Sequence, residues 1–129
     1  MPRILVVDDQ KDVRAMMSMV LRLGRFEVSE AESVKTGLQA FAEAEFDAAV
    51  VDIFLKDESG FDLITAMRER VPGLPVVAVS GLASLDAVAR SAELSSVVCL
   101  QKPFRPVELI QAIEKAQGSA PQDKAGAAA

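Results

Sequence analysis

Residues 4–9 read Ile4-Leu5-Val6-Val7-Asp8-Asp9, an apolar and mostly β-branched run that ends in two carboxylates. Three more apolar runs each lead into a polar residue: Ala48-Ala49-Val50-Val51 into Asp52, Val76-Val77-Ala78-Val79 into Ser80, and Val97-Val98-Cys99-Leu100-Gln101 into Lys102. Short runs of this kind, separated by segments with helical spacing, are typical of buried parallel strands. In an open α/β sheet, functional groups gather at the carboxyl ends of the strands. The pattern therefore predicts that carboxylates, a hydroxyl and an ammonium group meet at one edge of a sheet.

Segments with apolar residues at helical spacing lie between these runs, and several begin at a capping residue. They predict helices over residues 11–23, after Ser33, after a polar loop over residues 56–60 and up to the Pro72-Gly73 turn, after Ser84, and from Pro106, which is tolerated as a first helical residue. The alternating residues 26–29 predict one more strand. Five strand–helix alternations with right-handed crossovers predict an α/β fold: a five-stranded parallel sheet with helices on both faces. We expect this domain to span residues 1–117, and residues 118–129, which lack apolar periodicity, to form a flexible C-terminal tail.

The composition argues against several classes of function. The chain has 129 residues, of which 50% are hydrophobic and 26% charged, as expected for one globular domain. Its net charge of −5 argues against nucleic-acid binding, and no apolar run approaches the length of a membrane span. The single cysteine cannot form an internal disulfide, which suits the cytoplasm, and the absence of histidine excludes histidine-based catalytic and metal sites. We therefore expect a cytoplasmic regulator that binds proteins rather than nucleic acid or membranes.

The expected cluster of Asp8, Asp9 and Asp52 is suited to a divalent cation. Two carboxylates about 4 Å apart repel each other by roughly 4 kcal/mol at an effective dielectric near 20. Lys102 offsets part of this repulsion, and Mg²⁺, which prefers one or two carboxylates together with water and phosphate oxygens, would offset more. A carboxylate can also be the nucleophile toward phosphorus. Each residue alone is also consistent with a loop acid, a plain turn or a surface lysine, so it is their joint placement that favours a site.

Together these residues resemble the receiver domain of two-component response regulators, the CheY-like superfamily, over residues 2 to about 117. The resemblance rests on Val6-Val7-Asp8-Asp9, Asp52, Gly60-Phe61, Ser80-Gly81 and Lys102-Pro103-Phe104. It implies the flavodoxin-like strand order 2-1-3-4-5. It also implies that Asp52 accepts a phosphoryl group from a phosphohistidine on a partner histidine kinase or histidine phosphotransfer protein. Ser80 and Lys102 would hold the phosphoryl oxygens, and the Lys102–Pro103 bond is expected to be cis.

The resemblance further implies the ligands of a Mg²⁺ cofactor. Asp9 and Asp52 would bind the ion directly, together with the backbone carbonyl of Phe54, while Asp8 would act mainly through water. Two apolar side chains, those of Phe54 and Leu82, are expected to border the acyl phosphate. Neither can hydrogen-bond an attacking water, so we expect slow autodephosphorylation.

Two positions depart from the usual pattern of this family. Three residues before the lysine the family usually has a tyrosine or phenylalanine, whose ring turns inward on phosphorylation, but here Cys99 stands there. We expect Cys99 to be a buried hydrophobic residue of a strand and not a reactive thiol. Lys56, four residues after Asp52, replaces a frequent proline and is expected to be a solvated loop lysine. Alternatively, Lys56 presents its charge to a kinase or a phosphate.

These observations predict a single-domain receiver that signals through contacts with an unknown downstream protein and turns over no metabolite. The start at Met1, just before the first strand, favours a complete chain. The main alternative is a receiver domain from a hybrid histidine kinase or a longer regulator. A phosphatase of the haloacid dehalogenase type is less compatible, because Phe54 stands where that family needs a second acid. A flavin binder would need a Ser/Thr/Gly-rich phosphate loop in place of the acidic residues 8–12.

Overall fold

The structure is a computed structural model and describes residues 1–56, 58–81 and 97–118. Its elements are, in chain order, β1 (Arg3–Val7), α1 (Lys11–Leu23), β2 (Glu27–Ala31), α2 (Val34–Glu43), β3 (Ala48–Asp52), β4 (Phe54–Leu55), β5 (Glu58–Ser59), α3 (Gly60–Arg70), β6 (Val76–Ser80), β7 (Val98–Gln101) and α4 (Pro106–Gly118). The helix predicted after Ser84, the position of Leu82 and residues 119–129 lie outside the described residues.

Five strands form one parallel sheet in the order β2-β1-β3-β6-β7. This is the predicted order 2-1-3-4-5, because β4 and β5 form a separate antiparallel hairpin and do not join the sheet. In the register of the central strands, Val7 pairs with Val51 and Asp52 pairs with Val79. The strands therefore end close to one level, which brings the residues that follow them to one edge.

The core lies on both faces of the sheet. One cluster of buried apolar residues joins the sheet to α2 and α3, and a second joins it to α1 and α4. Every residue of the central strands β3 and β6 is buried, which explains why these segments are apolar throughout and do not alternate. No helix in the described part of the chain is long and apolar enough to cross a membrane.

The helix boundaries agree with the local sequence signals. The Ser33 side chain accepts a hydrogen bond from the Thr36 amide at 3.1 Å, and the Thr36 hydroxyl accepts one from the Ser33 amide at 3.0 Å. This reciprocal capping fixes the start of α2. Helix α4 begins at Pro106 as predicted, but it includes Gly118, which we had assigned to the tail.

Gly60 is the first residue of α3 and packs directly against the end of β3. A Cβ atom at this position would overlap the carbonyl oxygen of Asp52 and would lie 2.9 Å from Cα of Ile53. The Gly60 amide donates a hydrogen bond to the Ile53 carbonyl at 2.8 Å. Glycine is required here because it alone lets α3 approach the backbone of β3 this closely.

A small hairpin, β4–β5, replaces the plain polar loop that the sequence predicted after β3. Phe54 pairs with Ser59 and Leu55 with Glu58. At the hairpin turn, Lys56 has a φ of 53°, a left-handed conformation that is uncommon outside glycine. The Glu58 carboxylate accepts a hydrogen bond from the Val34 amide at 3.2 Å and so ties the hairpin to the first turn of α2.

Candidate functional site

The structure brings the polar residues that follow the four apolar runs to one edge of the sheet. Asp8 and Asp9 follow β1, Asp52 is the last residue of β3, Ser80 is the last residue of β6, and Lys102 follows β7. The carboxyl ends of parallel strands share an edge, which is why four segments far apart in sequence meet here. The carbonyl oxygen of Ser80 accepts the Lys102 amide at 2.8 Å, which joins the last two of these segments.

Lys102 holds the cluster together. Its Nζ atom lies 3.0 Å from Oδ2 of Asp8 and 3.1 Å from Oδ2 of Asp52. The same ammonium group donates to Oε1 of Gln10 at 3.2 Å. The Asp8 carboxylate is fully buried and the Asp52 side chain nearly so, and the Lys102 side chain is 19% exposed. One ammonium group therefore bridges two carboxylates that would otherwise repel each other in a partly dehydrated site.

The Asp52 carboxylate is oriented by two donors, one for each oxygen. Oδ1 accepts a hydrogen bond from the Phe54 amide at 2.9 Å, and Oδ2 accepts one from Lys102. Burial raises the pKa of Asp52, and the charge of Asp8 raises it further, while the Phe54 amide and Lys102 act in the opposite direction. A salt bridge alone would lower the pKa of the carboxyl, so here desolvation outweighs the ion pair. Ionisation of Asp52 in this buried position therefore costs free energy, and an added cation would lower that cost.

The ammonium group of Lys102 is stabilised in its charged form. Burial by itself would lower the pKa of Lys102, but the hydrogen bonds and charges of Asp8 and then of Asp52 outweigh it and raise the pKa. Lys102 therefore stays positively charged across the physiological pH range. A permanent positive charge therefore lies within hydrogen-bonding distance of Oδ2 of Asp52.

Carboxylate oxygens of Asp8, Asp9 and Asp52 all lie within 4.8 Å of one another. Two ligand atoms on opposite sides of one Mg²⁺ ion stand about 4 Å apart. The limit of 4.8 Å is close to this span, so the three carboxylates lie near enough to share one ion after little movement. The donors are hard oxygen atoms, which Mg²⁺ prefers.

A cleft of about 400 Å³ opens beside this cluster, and its lining includes Asp9, Asp52 and Lys102. Phe54 lines its rim with half of its surface exposed. Lys56 is exposed, as predicted, and it also lines this cleft. The cleft therefore opens directly beside Asp52.

Sequence reasoning did not single out Gln10, which also lines the cleft and contacts Lys102. The backbone amide of Gln10 donates to Oδ1 of Asp8 at 2.8 Å, so Gln10 contacts both Asp8 and Lys102. The only signal in the sequence is that Gln10 directly follows the two acids. The bond between Lys102 and Pro103 is cis, as the resemblance implied.

Cys99 lies in β7, as predicted, but it is only partly buried and not a buried residue of the strand. It packs against the core cluster on the side of α2 and α3. Burial raises the pKa of the Cys99 thiol, and the positive charge of Lys115 offsets this only in part. The unreactive thiol form is therefore favoured at neutral pH.

We expect a thiol reagent to label Cys99 more slowly in the native protein than in denaturant at pH 7 to 8. The raised pKa lowers the native thiolate fraction, and partial burial restricts access to the sulfur atom. As the pH rises through the raised pKa, the native rate should approach the denatured rate. A native rate equal to the denatured rate at pH 7 would contradict the structural role and would make Cys99 a candidate reporter of the site.

Comparison with known proteins gives a clear family match. Residues 4–114 match the family described as the response regulator receiver domain. Among curated proteins, the chain is 36% identical over 113 residues to the transcriptional regulatory protein PrrA of Mycobacterium leprae. This alignment covers 88% of the chain but only 48% of that relative, so the chain spans about half the length of the regulator it matches.

Solved structures agree. The receiver domain of NtrX from Brucella abortus superposes with a TM-score of 0.82 at 27% identity, covering 91% of this chain and 99% of that one. A CheY-like response regulator receiver domain protein from Methanospirillum hungatei superposes with a TM-score of 0.82 at 29% identity, covering 92% and 96%. The match over most of the chain, together with the sheet order and the acidic strand ends, shows that this chain belongs to the response regulator receiver domain family.

Proposed function

We propose that this receiver domain accepts a phosphoryl group on Asp52 from a phosphohistidine of a partner histidine kinase or histidine phosphotransfer protein. It would do so with Mg²⁺ bound beside Asp52, and it would signal through protein–protein contacts. The supporting observation is the Lys102 ammonium group, which lies within hydrogen-bonding distance of both Asp8 and Asp52 beside an open cleft. This arrangement presents a carboxylate nucleophile next to a fixed positive charge.

In the proposed transfer, an Asp52 oxygen forms a bond to phosphorus while the bond from phosphorus to the donor nitrogen breaks. The leaving imidazole takes up a proton from solvent. Lys102 would hold one phosphoryl oxygen through its ammonium group, and Ser80, buried at the end of β6, would donate its hydroxyl to another. The Phe54 amide already holds one oxygen of Asp52. The Asp52 side chain therefore loses little conformational entropy when it reacts.

In this proposal, Asp9, Asp52 and the Phe54 carbonyl oxygen bind Mg²⁺ directly, and Asp8 acts through water. The spacing of the three carboxylates supports this set, as does the contact of Asp8 with Lys102, which already occupies one oxygen of Asp8. When bound, Mg²⁺ supplies positive charge that neutralises the transferring phosphoryl group. The raised pKa of Asp52 supports the need for such a cation.

Mg²⁺ is expected to stabilise the wild-type protein against heat. If the dissociation constant is on the order of 1 mM, about 10 mM Mg²⁺ adds roughly 1.4 kcal/mol by mass action. For a domain of this size the melting temperature then rises by about 4 °C, which circular dichroism would detect. Asp9→Ala should lose this rise, because a direct ligand is gone.

Asp12→Ala is the matched control, because Asp12 is an exposed acid only three residues further on, in the first turn of α1. It should keep the full response to Mg²⁺. An equal rise in Asp9→Ala and wild type would argue against direct coordination by Asp9.

The proposed function is tested by incubating the protein with acetyl phosphate and Mg²⁺ and measuring its intact mass. A receiver gains one lasting phosphoryl group. A phosphatase of the haloacid dehalogenase type releases phosphate with continuous turnover, and a flavin binder shows neither. Absence of any mass increase over a range of donor concentrations would overturn the proposal.

Loss of the phosphoryl group is expected to be slow, and Phe54→Asn should speed it by roughly tenfold. The Phe54 ring lines the cleft but cannot orient an attacking water, whereas an amide side chain can. The backbone groups of residue 54 stay in place in this variant. Val71→Asn is the control, because Val71 is also an exposed apolar residue but does not line this cleft. The measurement follows the phosphorylated mass after the donor is removed, and an unchanged rate in Phe54→Asn would show that Phe54 does not limit hydrolysis.

We also propose the bounds of the domain, its location and what receives its signal. The receiver domain would span residues 1–117 in the cytoplasm, and α4 ends one residue later, at Gly118. The curated relatives include transcriptional regulators of about twice this length or more, so either a separate downstream protein or a further domain would receive the signal. The domain itself would turn over no metabolite beyond its own phosphorylation and slow dephosphorylation.

A further inference from the structure

Arg14, on α1, reaches back to the acidic loop and contacts it through the backbone. Its Nη1 atom donates to the carbonyl oxygen of Asp8 at 2.8 Å, and its Nε atom donates to Oε1 of Glu30, on β2, at 3.2 Å. The Arg14 side chain is only 15% exposed. One rigid guanidinium group therefore joins α1, β2 and the loop that carries the two acids.

The hydrogen bond from Arg14 to the Asp8 carbonyl also restricts the backbone of Asp9. The carbonyl of Asp8 and the amide of Asp9 belong to one planar peptide unit, so a hydrogen bond that holds the carbonyl also fixes the plane that precedes Cα of Asp9. The amide of Asp8 is held separately by the carbonyl of Ala31 at 3.1 Å. Within residues 1–56, 58–81 and 97–118, no hydrogen bond or ion pair holds the Asp9 carboxylate, so its direction depends on its backbone.

We infer that Arg14 is a positioning residue for the proposed Mg²⁺ site: it fixes the peptide between Asp8 and Asp9 so that the Asp9 carboxylate faces Asp52. This inference rests on the proposed function, because it concerns how tightly that site binds the ion. Glu30 holds the guanidinium in place and balances its charge, so the effect comes from geometry and not from an added positive charge.

Arg22 provides a matched control on the same helix. Its Nη2 atom lies 3.7 Å from the other oxygen of Glu30 and 3.5 Å from the carbonyl oxygen of Val28. Arg22 therefore shares the carboxylate partner of Arg14 and joins the same helix to the same strand. Among the contacts within the described part of the chain, Arg22 has no hydrogen bond or ion pair with Asp8. Replacing either arginine by methionine removes one positive charge, but only Arg14→Met removes the contact with the acidic loop.

The experiment measures the Mg²⁺ dissociation constant by NMR titration for wild type, Arg14→Met and Arg22→Met, and the melting temperature of each without Mg²⁺. Arg14→Met should weaken Mg²⁺ binding by about tenfold, the usual scale for a residue that orients a metal ligand. Arg22→Met should stay within about twofold of wild type. A purely structural role would lower the melting temperatures of both variants and leave both dissociation constants unchanged, and that result would overturn the inference.

A second variant covers the case in which Arg14→Met does not fold. Arg14→Lys keeps the charge, but one ammonium group does not reproduce the guanidinium fork that serves Glu30 and Asp8 together. We expect it to bind Mg²⁺ roughly threefold more weakly than wild type, and an affinity equal to wild type would overturn the inference. If wild type itself does not bind Mg²⁺, the proposed metal site is wrong and the inference falls with it. If wild type binds Mg²⁺ and both Arg14 variants bind it equally well, the inference alone is wrong.

Discussion

Asp52→Asn is expected to take up no phosphoryl group from acetyl phosphate, while the wild-type protein becomes fully labelled. An amide lacks the charged oxygen needed to attack phosphorus, so the loss should be complete. The fold should survive, because asparagine keeps the volume of the side chain and removes one charge from a repelling cluster. Lys102 retains its contact with Asp8, which also helps to keep the site in place. Intact-mass measurement after donor treatment gives the result.

Asp62→Asn is the control for this substitution, since Asp62 is an exposed acid in the first turn of α3, outside the acidic cluster. It should be labelled like wild type. Full labelling of Asp52→Asn at some other residue would show that the phosphoacceptor has been assigned wrongly.

Gly60→Ala is expected to destabilise the protein by about 3 kcal/mol, the upper end of the range for a clash that the surroundings cannot relieve. The added methyl group would meet the carbonyl oxygen of Asp52 and Cα of Ile53, which are backbone atoms and cannot rotate away. Replacing glycine by alanine favours the helix by only about 0.5–1 kcal/mol. The clash outweighs this gain, so the free energy of unfolding should fall. The melting temperature should fall by on the order of 10 °C. Phosphorylation should also slow, because the displaced backbone carries Asp52.

Gly81→Ala is the control for Gly60→Ala. It tests whether any larger residue near the site lowers the melting temperature. The nearest atom to a Cβ at Gly81 is Cβ of Lys102 at 3.9 Å, which is an ordinary contact. We therefore expect a change in melting temperature of a few degrees at most. If Gly60→Ala melted at the same temperature as Gly81→Ala, the close approach of α3 to β3 would not be required.

The apolar runs predicted the sheet and the edge where the site lies. This worked because the central strands are buried on both faces and therefore carry a signal that a loop or an amphipathic helix does not produce. The order of the strands came from the family resemblance, and the structure confirms it. The polar residues were found because each directly follows such a run.

Features that depend on contacts across the fold could not be predicted in this way. Arg14 reads as a solvated residue on a helix, and only the structure brings its guanidinium to the carbonyl of Asp8. Gly60 was identified as a motif residue, but only the structure shows that a Cβ atom there would overlap the backbone at the end of β3. The hairpin β4–β5 was missed because strands of two residues have no detectable period.

The complete burial of β3 and β6 has a consequence for hydrogen exchange. Amide groups in such strands exchange with solvent only when most of the domain opens, whereas loops and helix ends open locally at lower free energy. Asp52 is the last residue of one of these buried strands, where we expect slow exchange. A phosphoryl group bound there would be anchored to the part of the protein that fluctuates least. Any structural response to it must therefore arise in the surrounding loops and helices, whose local opening does not disturb the attachment point.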